Sequence, residues 1–382
     1  MGLRSGGVVT GVGVQLAGTG IYPFGRHDLS ATAMGALAVR QALDAAGPDS
    51  TFQAAFCGTA YGGVAAGHRV LGELGLTGGP IIDIEAGCAS GAAALSMAAA
   101  AIRAGQYDTV LVFGIEKMPK GIIRSSFFDP WREQAGLAAT PAYFALRAQR
   151  LMIDAGITKE QLAAVVVKNR GQGVHNDNAM FRKPVTVDDV LASKVVCEPL
   201  HLFMLCSPNE GAAAVVLCAG TGGVQLRAAA LRSHLPGHVL NEGSPLSGLV
   251  GRDPTPPTAL AAADAYAAAG LGPDDIDVAE CQDTDAAREL LAYEELAFCA
   301  PGECGKLVDE GATAMGGRTP VNPSGGLLSK GEPLGASAIG QVVELTHQLQ
   351  DRCGVRQVEG AQVALAQTVG RGANASVTIL SR

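Results

Sequence analysis

The sequence predicts an α/β protein of two similar halves, each a series of parallel strands joined by crossover helices. Three observations carry this expectation. Short apolar runs alternate with helical stretches through residues 7–115, the order that parallel strands with crossover helices require. A matching order of elements returns from residue 224 onward, which points to internal duplication. A length of 382 residues exceeds one ordinary core and suggests two domains of roughly 150–200 residues each.

Residues 7–14 (GVVTGVGV) read as a buried strand, and 30–46 as an amphipathic helix ending at Gly47. A second strand is expected at 54–58 (AAFCG) and a third at 81–85 (IIDIE). An Ala-rich helix follows at 88–104, apolar all round and so expected to lie between sheets, and then a fourth strand at 108–115. In the second half the expected elements are strand 224–232, helix 257–269, strand 277–281, helix 333–350, and strands 361–367 and 375–380. In this register the helix beginning near Cys88 is the counterpart of the helix beginning near Glu332. The halves are therefore placed at 1–223 and 224–382. Residues 116–210 are read as a loop insertion over one face of the first half, with a polar stretch at 168–187.

Composition narrows the function classes. Hydrophobic residues make up 48% and charged residues 17%, so large buried elements are expected, and 51 glycines favour close packing of backbone on backbone. No apolar run reaches the ~18 residues of a membrane span. The start MGLRSGGVVTGVGV lacks the parts of a secretory signal, and myristoylation at its Met-Gly is not expected. A net charge of −8 without basic runs argues against nucleic acid. The nine cysteines show no disulfide spacing, and Cys299 and Cys304 lack the Cys/His pair that a metal site needs. The expectation is a reduced, cytosolic protein without a bound metal or cofactor.

Two stretches carry chemistry. In E-A-G-C-A-S-G at 85–91 a strand ends, a glycine permits a sharp turn, and Cys88 stands at a helix start. Unpaired N–H groups and the helix dipole there stabilise a thiolate, and the same N–H groups can hold an oxyanion. A small buried cysteine in a tight joint fits these residues too. In N-P-S-G-G-L-L-S-K-G-E-P-L-G-A-S at 322–337, glycine-rich turns bracket Glu332 ahead of Pro333. Taken alone, that glutamate reads as one that merely favours a helix N-terminus.

Together with F-G-I-E-K-M at 113–118, C-S-P-N-E-G-A-A-A-V-V-L at 206–217 and E-C-Q-D at 280–283, these stretches resemble a thiolase of the sterol-carrier-protein type, from the first strand to residue 382. The resemblance implies a thiolase fold: two βαβαβαββ halves in a five-layer α-β-α-β-α arrangement, a homodimeric core, and coenzyme A thioesters as substrates. It also implies that Cys88 takes the acyl group. Several relatives of this type work with a small zinc-ribbon and OB-fold (DUF35) subunit, so such a partner is expected here as well.

The sequence departs from the family at its other catalytic positions. The histidine of K-G-H-P-L-G is replaced by Glu332, and the positions of H-D-C-F read Gln282, Asp283, Thr284 and Asp285. The C-terminal glycine-rich turn is Val-Gly-Arg-Gly, with Gly372 at its end and without the usual cysteine. A glutamate accepts a thiol proton if burial raises its pKa, although it offers the thiolate no opposite charge. Gln282 can donate to a carbonyl oxygen but cannot transfer protons. Thr284 is too weak an acid for the α-carbon, which leaves Glu332, Asp283 or Asp285. Cys281 is expected in the core, and Cys206 is read as structural. Arg182 and Lys183 lie in the insertion, where coenzyme A phosphates could be met, but the reading preferred for them is a solvated charged loop.

Acyl transfer through Cys88 is thus expected to be intact and the carbanion half of the reaction to be altered. The leading expectation is a thiolase that cleaves or forms a β-ketoacyl thioester. Two alternatives stay open at this point: a retro-aldolase acting on β-hydroxyacyl thioesters, and a catalytically silent subunit of a larger complex.

Overall fold

The computed structural model describes residues 12–121, 134, 139–235, 255–370 and 374–382. Nine strands form one long sheet: β1 (Val14–Gly25), β2 (Ala54–Gly58), β3 (Ile81–Ile84), β4 (Thr109–Lys117), β7 (Glu210–Ala219), β8 (Val224–Arg232), β9 (Val278–Cys281), β10 (Val363–Val369) and β11 (Ala375–Ser381). Two short strands, β5 (Val195–Cys197) and β6 (Leu200–His201), pair apart from it. The order β3-β2-β4-β7-β1-β8-β11-β10-β9 is nearly symmetric. Each half places its third, second, fourth, last and first strands in sequence. In the second half the third strand has shrunk to a single bridge between Val321 and Ala279. Within the sheet the halves join through two residue pairs of β1 and β8, Gln15–Gln225 and Leu16–Val224.

The helices complete five layers. Helices α1 (Ala31–Ala46) and α2 (Ala66–Glu73) cover the outer face of the first half, where Met34, Val39 and Val70 pack on Leu111 and Phe113. Helix α3 (Ser90–Arg103) lies in the middle layer with a later helix, Leu334–Leu349, and both pack against strands of the two halves. The other outer face is covered by α7 (Pro257–Ala269) and α8 (Ala286–Glu295). This is the five-layer arrangement that the family resemblance implied.

Three expectations are corrected. The first strand was placed at 7–14, yet β1 begins at Val14, and residues 1–11 lie outside the described residues. Its sequence LAGTGIYPFG hid it because Gly18 and Gly20 stand where a side chain cannot. A Cβ on either would lie 2.1 Å from a carbonyl oxygen of α1. The middle helix was expected from residue 88, but it starts at Ser90 after Gly87 in the left-handed region (φ 59°). The stretch 116–210 is more regular than a loop insertion: it folds as α4 (Thr140–Ala155), α5 (Lys159–Gly173) and α6 (Val187–Ala192) before β5 and β6. Helix α5 shows little helical periodicity in sequence because it buries polar Asn169 and Arg170 along with Leu162, Val165 and Val166.

Two short helices complete the second half. These are α9 (Cys304–Asp309) and α10 (Gly326–Lys330), and α10 leads directly into α11, the Leu334–Leu349 helix of the middle layer.

Candidate active site

Four glycines bring the starts of α3 and α11 together. A Cβ on Gly58 would lie 2.6 Å from the Gly91 nitrogen, one on Gly91 2.7 Å from the Gly335 oxygen, and one on Gly114 2.0 Å from that same oxygen. A Cβ on Gly335 would in turn meet the Gly58 oxygen at 2.4 Å. Strands β2 and β4 and both helix starts therefore touch through bare backbone. Glu116, buried at the end of β4, clamps the junction. Its carboxylate accepts from the backbone N–H groups of Ala60 (2.9 Å), Tyr61 (3.0 Å) and Gly335 (3.1 Å). The motifs containing Cys88 and Glu332 meet at this joint.

Glu332 is delivered by a turn that needs glycine. Gly331 has φ 83°, and a Cβ there would lie 2.0 Å from the Asn209 side-chain nitrogen. That Asn209 amide donates to the Lys330 carbonyl at 2.7 Å, while the Glu332 N–H donates to the Ser207 carbonyl at 2.9 Å. The C-S-P-N-E-G and K-G-E-P stretches thus run side by side, with a parallel bridge between Pro208 and Glu332.

Three side chains converge on the Glu332 carboxylate. Gln282 Nε2 donates to Oε1 at 2.7 Å, Cys206 Sγ donates to Oε2 at 3.4 Å, and the Cys88 thiol also hydrogen-bonds it. Glu332 is 6% exposed. Burial pushes its carboxyl up from the ordinary range, and the Asp285 charge adds to this. The hydrogen bonds from Gln282, Cys88 and Cys206 pull it partly back. Burial, and then the Glu332 charge, hold the Cys206 thiol well above the usual thiol range. A half-buried thiol on a carboxylate of raised pKa is the arrangement of a nucleophile beside a base.

Residues 14–221 match the family model of the thiolase N-terminal domain, and residues 252–382 match the thiolase C-terminal domain-like model. The chain belongs to the thiolase family. It is 36% identical over 359 residues to sterol carrier protein 2 of Bos taurus; the match covers 88% of this chain and 65% of that longer protein. It is 33% identical over 378 residues to benzoylsuccinyl-CoA thiolase subunit BbsB of Thauera aromatica, covering 96% of each. Among solved structures, the Ltp2-ChsH2(DUF35) aldolase superposes with a TM-score of 0.84 at 23% identity, covering 97% of both chains. Acetyl-CoA acetyltransferase from Syntrophomonas wolfei gives 0.73 at 17% identity, over 97% of this chain and 99% of that one. At such identities the structural likeness speaks for the fold alone.

In this thiolase-family chain a cavity of about 1500 Å³ opens onto the cluster, and Cys88, Cys206, Thr284 and Glu332 stand in its wall. Gln282 does not. It is 1% exposed, its carbonyl accepts from the Val369 N–H, and its amide is turned to Glu332, so it orients the carboxylate. Asp283 faces the other way. Its carboxylate accepts from the Leu327 (2.6 Å) and Leu328 (3.1 Å) N–H groups at the start of α10 and from Asn169 (2.8 Å). Asp285 caps α8 through the Arg288 N–H (3.1 Å) and pairs with Arg147. The Thr284 hydroxyl lies 3.3 Å from Asp285 Oδ2. Gly372 lies outside the described residues.

Cys281 is in the core, as the sequence suggested, at 1% exposure. Cys206 had been expected to be structural; instead its thiol reaches both the cavity and Glu332. The readable signal was its place at the head of the C-S-P-N-E-G stretch, which no periodicity argument turns toward a site. The expected use of backbone N–H groups after Cys88 as oxyanion donors is also narrowed. Those of Ala89 and Ser90 already donate to the Ala86 and Gly87 carbonyls, each at 3.1 Å. Arg182 and Lys183 line the cavity, and Arg182 pairs with Asp177 at 2.7 Å with about half of its side chain exposed.

Proposed function

We propose that this protein is a thiolase of altered catalytic set, which cleaves or forms a β-ketoacyl-coenzyme A through an acyl group carried on Cys88. The observation that supports this reading most strongly is the shared carboxylate: Cys88, Cys206 and Gln282 all hydrogen-bond Glu332 at the wall of one cavity.

In the cleavage direction the Cys88 thiol gives its proton to Glu332 as the sulfur attacks the β-keto carbon. The Cα–Cβ bond breaks, and the electron pair leaves as the enolate of the shorter thioester. That enolate needs one proton. Cys206 gives its own to the α-carbon while taking the proton held on Glu332, so neither a free Cys206 thiolate nor a second buried charge forms. This relay suits a thiol whose ionised form is strongly disfavoured. Coenzyme A then gives its thiol proton to Glu332 as its sulfur attacks the acyl carbon; the Cys88–acyl bond breaks, Glu332 returns that proton to the Cys88 sulfur, and the second thioester departs. Gln282 is assigned to fixing the base, and Arg182 and Lys183 to the phosphates of coenzyme A.

The two halves are taken to divide at 223/224, between β7 and β8. A homodimeric core is proposed, and a small DUF35 subunit as a partner. The partner is suggested by the Ltp2-ChsH2(DUF35) likeness and by BbsB being a subunit. Coenzyme A enters as a substrate, and no resident cofactor is proposed.

Coenzyme A-dependent cleavage of a β-ketoacyl-CoA, assayed for native protein and Cys88→Ala, tests the reading. Cleavage by native protein and none by the variant is expected. Cleavage of a β-hydroxyacyl-CoA that survives Cys88→Ala would replace it with the retro-aldolase.

A further inference from the structure

The cavity wall contains a buried cation of unusual surroundings. Arg170, on α5, is 7% exposed and lines the same cavity as Cys88 and Glu332. Other buried cations are paired: Lys330 with Glu280 (3.2 Å), Arg288 with Glu295, and Arg356 with Glu344. Among the described residues no carboxylate pairs with Arg170, and its Nε is buried without a hydrogen-bond partner. Its neighbours are two rings, Phe181 at 4.1 Å and Phe203 at 5.6 Å from the guanidinium carbon. Rings attract the charge, but they offer no lone pair to its N–H groups. A guanidinium held in this way is oriented with its buried Nε unsatisfied, which costs free energy unless an anion completes it.

The rings also tie Arg170 to the reacting cluster. The Phe181 N–H donates to the Ser329 carbonyl at 2.9 Å, three residues before Glu332, and Phe203 stands three residues before Cys206. Both chain segments lead into the cluster, and Arg170 lines the one cavity whose wall also contains Cys88, Cys206 and Glu332. Arg182 and Lys183, which are more exposed on the same wall, are better placed for phosphates.

We infer that Arg170 is the cation of a carboxylate subsite, so that the acyl group carried to Cys88 bears a second, free carboxylate. This rests on the acyl-thioester reading above and adds the substrate class: thioesters of dicarboxylic acids. Burial lowers the guanidinium pKa only to about 10, so it stays charged at neutral pH. The planar fork then meets both oxygens of a carboxylate, and the rings exclude water from that bond.

Binding rather than turnover tests this. Succinyl-CoA and butyryl-CoA have acyl chains of equal length and differ in the terminal carboxylate. Their affinities are measured by calorimetry on Cys88→Ala, which cannot be acylated, and on Cys88→Ala with Arg170→Met. Succinyl-CoA is expected to bind about tenfold or more tighter than butyryl-CoA, with that advantage lost in the Arg170 variant and butyryl-CoA unaffected. Equal affinities in the Arg170-containing protein overturn the inference, whether or not the Arg170 variant folds. Equal weakening of both thioesters, absent when the pantetheine thioesters are used, assigns Arg170 to a coenzyme A phosphate and likewise overturns it. A carboxylate preference that persists in a protein never acylated on Cys88 would keep the subsite and remove the thiolase mechanism.

Discussion

The side-chain amide of Gln282 spans two partners: Nε2 donates to Glu332 Oε1 at 2.7 Å, and Oε1 accepts from the Val369 N–H. Gln282 occupies the place where the family's H-D-C-F element begins, yet here it serves the residue that replaced the other histidine. Two substitutions that look like separate losses in sequence form one hydrogen-bonded pair.

Gln282→Leu is expected to lower the rate of Cys88 acylation about tenfold or more. The bond from Gln282 holds the Glu332 pKa down against burial. Its removal raises that pKa further, so the acidic limb of the rate profile moves to higher pH. A pH series of acylation rates for both proteins reads the shift; an unmoved limb contradicts Glu332 as the base.

Glu332→Gln is expected to cut acylation by about 10²–10⁴-fold while raising the melting temperature at neutral pH. Glu332 has a folded-state pKa above its unfolded value. The stability linked to it is therefore full below the unfolded pKa, near 4.5, and is lost as pH rises through the raised one. Gln carries no such penalty. Thermal melts at pH 4 and pH 7.5 should show the variant's advantage only at the higher value.

Cys206→Ala is expected to leave the Cys88 acyl adduct forming from a simple acyl-CoA while slowing turnover of a β-ketoacyl-CoA by about 10²-fold. Exchange of the thioester α-proton with deuterated solvent, followed by NMR, isolates the step. Equal slowing of adduct formation would mean that Cys206 only positions Glu332.

Gly331→Ala tests the turn that delivers Glu332. An alanine at φ 83° is strained and its Cβ would lie 2.0 Å from the Asn209 amide, so Glu332 must shift. A stability loss of about 1–3 kcal/mol is expected, together with a loss of acylation near that of Glu332→Gln. Denaturant melts and acylation rates on the same samples separate the two effects.

Much of this arrangement was readable before any coordinates. Strands β2, β4, β8 and β11 fell close to their expected bounds because each is an apolar run between breakers. Cys88 and Glu332 stood out because their stretches are glycine-rich, and one glycine of each, Gly91 and Gly335, proves to be a contact that joins the two helix starts. Helices α4 to α6 were read as loop. The α5 face includes Asn169 and Arg170, whose value lies in partners more than 10 residues away, and no periodicity records such partners. Asp283 stood beside Gln282 as a candidate acid, but adjacent residues on an extended chain point oppositely, and its carboxylate went to the start of α10. Cys206 failed for the complementary reason: nothing local distinguishes a cysteine facing a cavity from one facing the core.

The central claim is that Cys88 carries the acyl group with Glu332 as its base. The most direct measurement is the intact mass of native protein, Cys88→Ala and Glu332→Gln after brief exposure to β-ketoacyl and acyl-CoA thioesters, with and without a DUF35 partner. One acyl mass added to native protein, slow or absent in Glu332→Gln and absent in Cys88→Ala, is the predicted result. Native protein that stays unmodified by every thioester under both conditions would contradict the account.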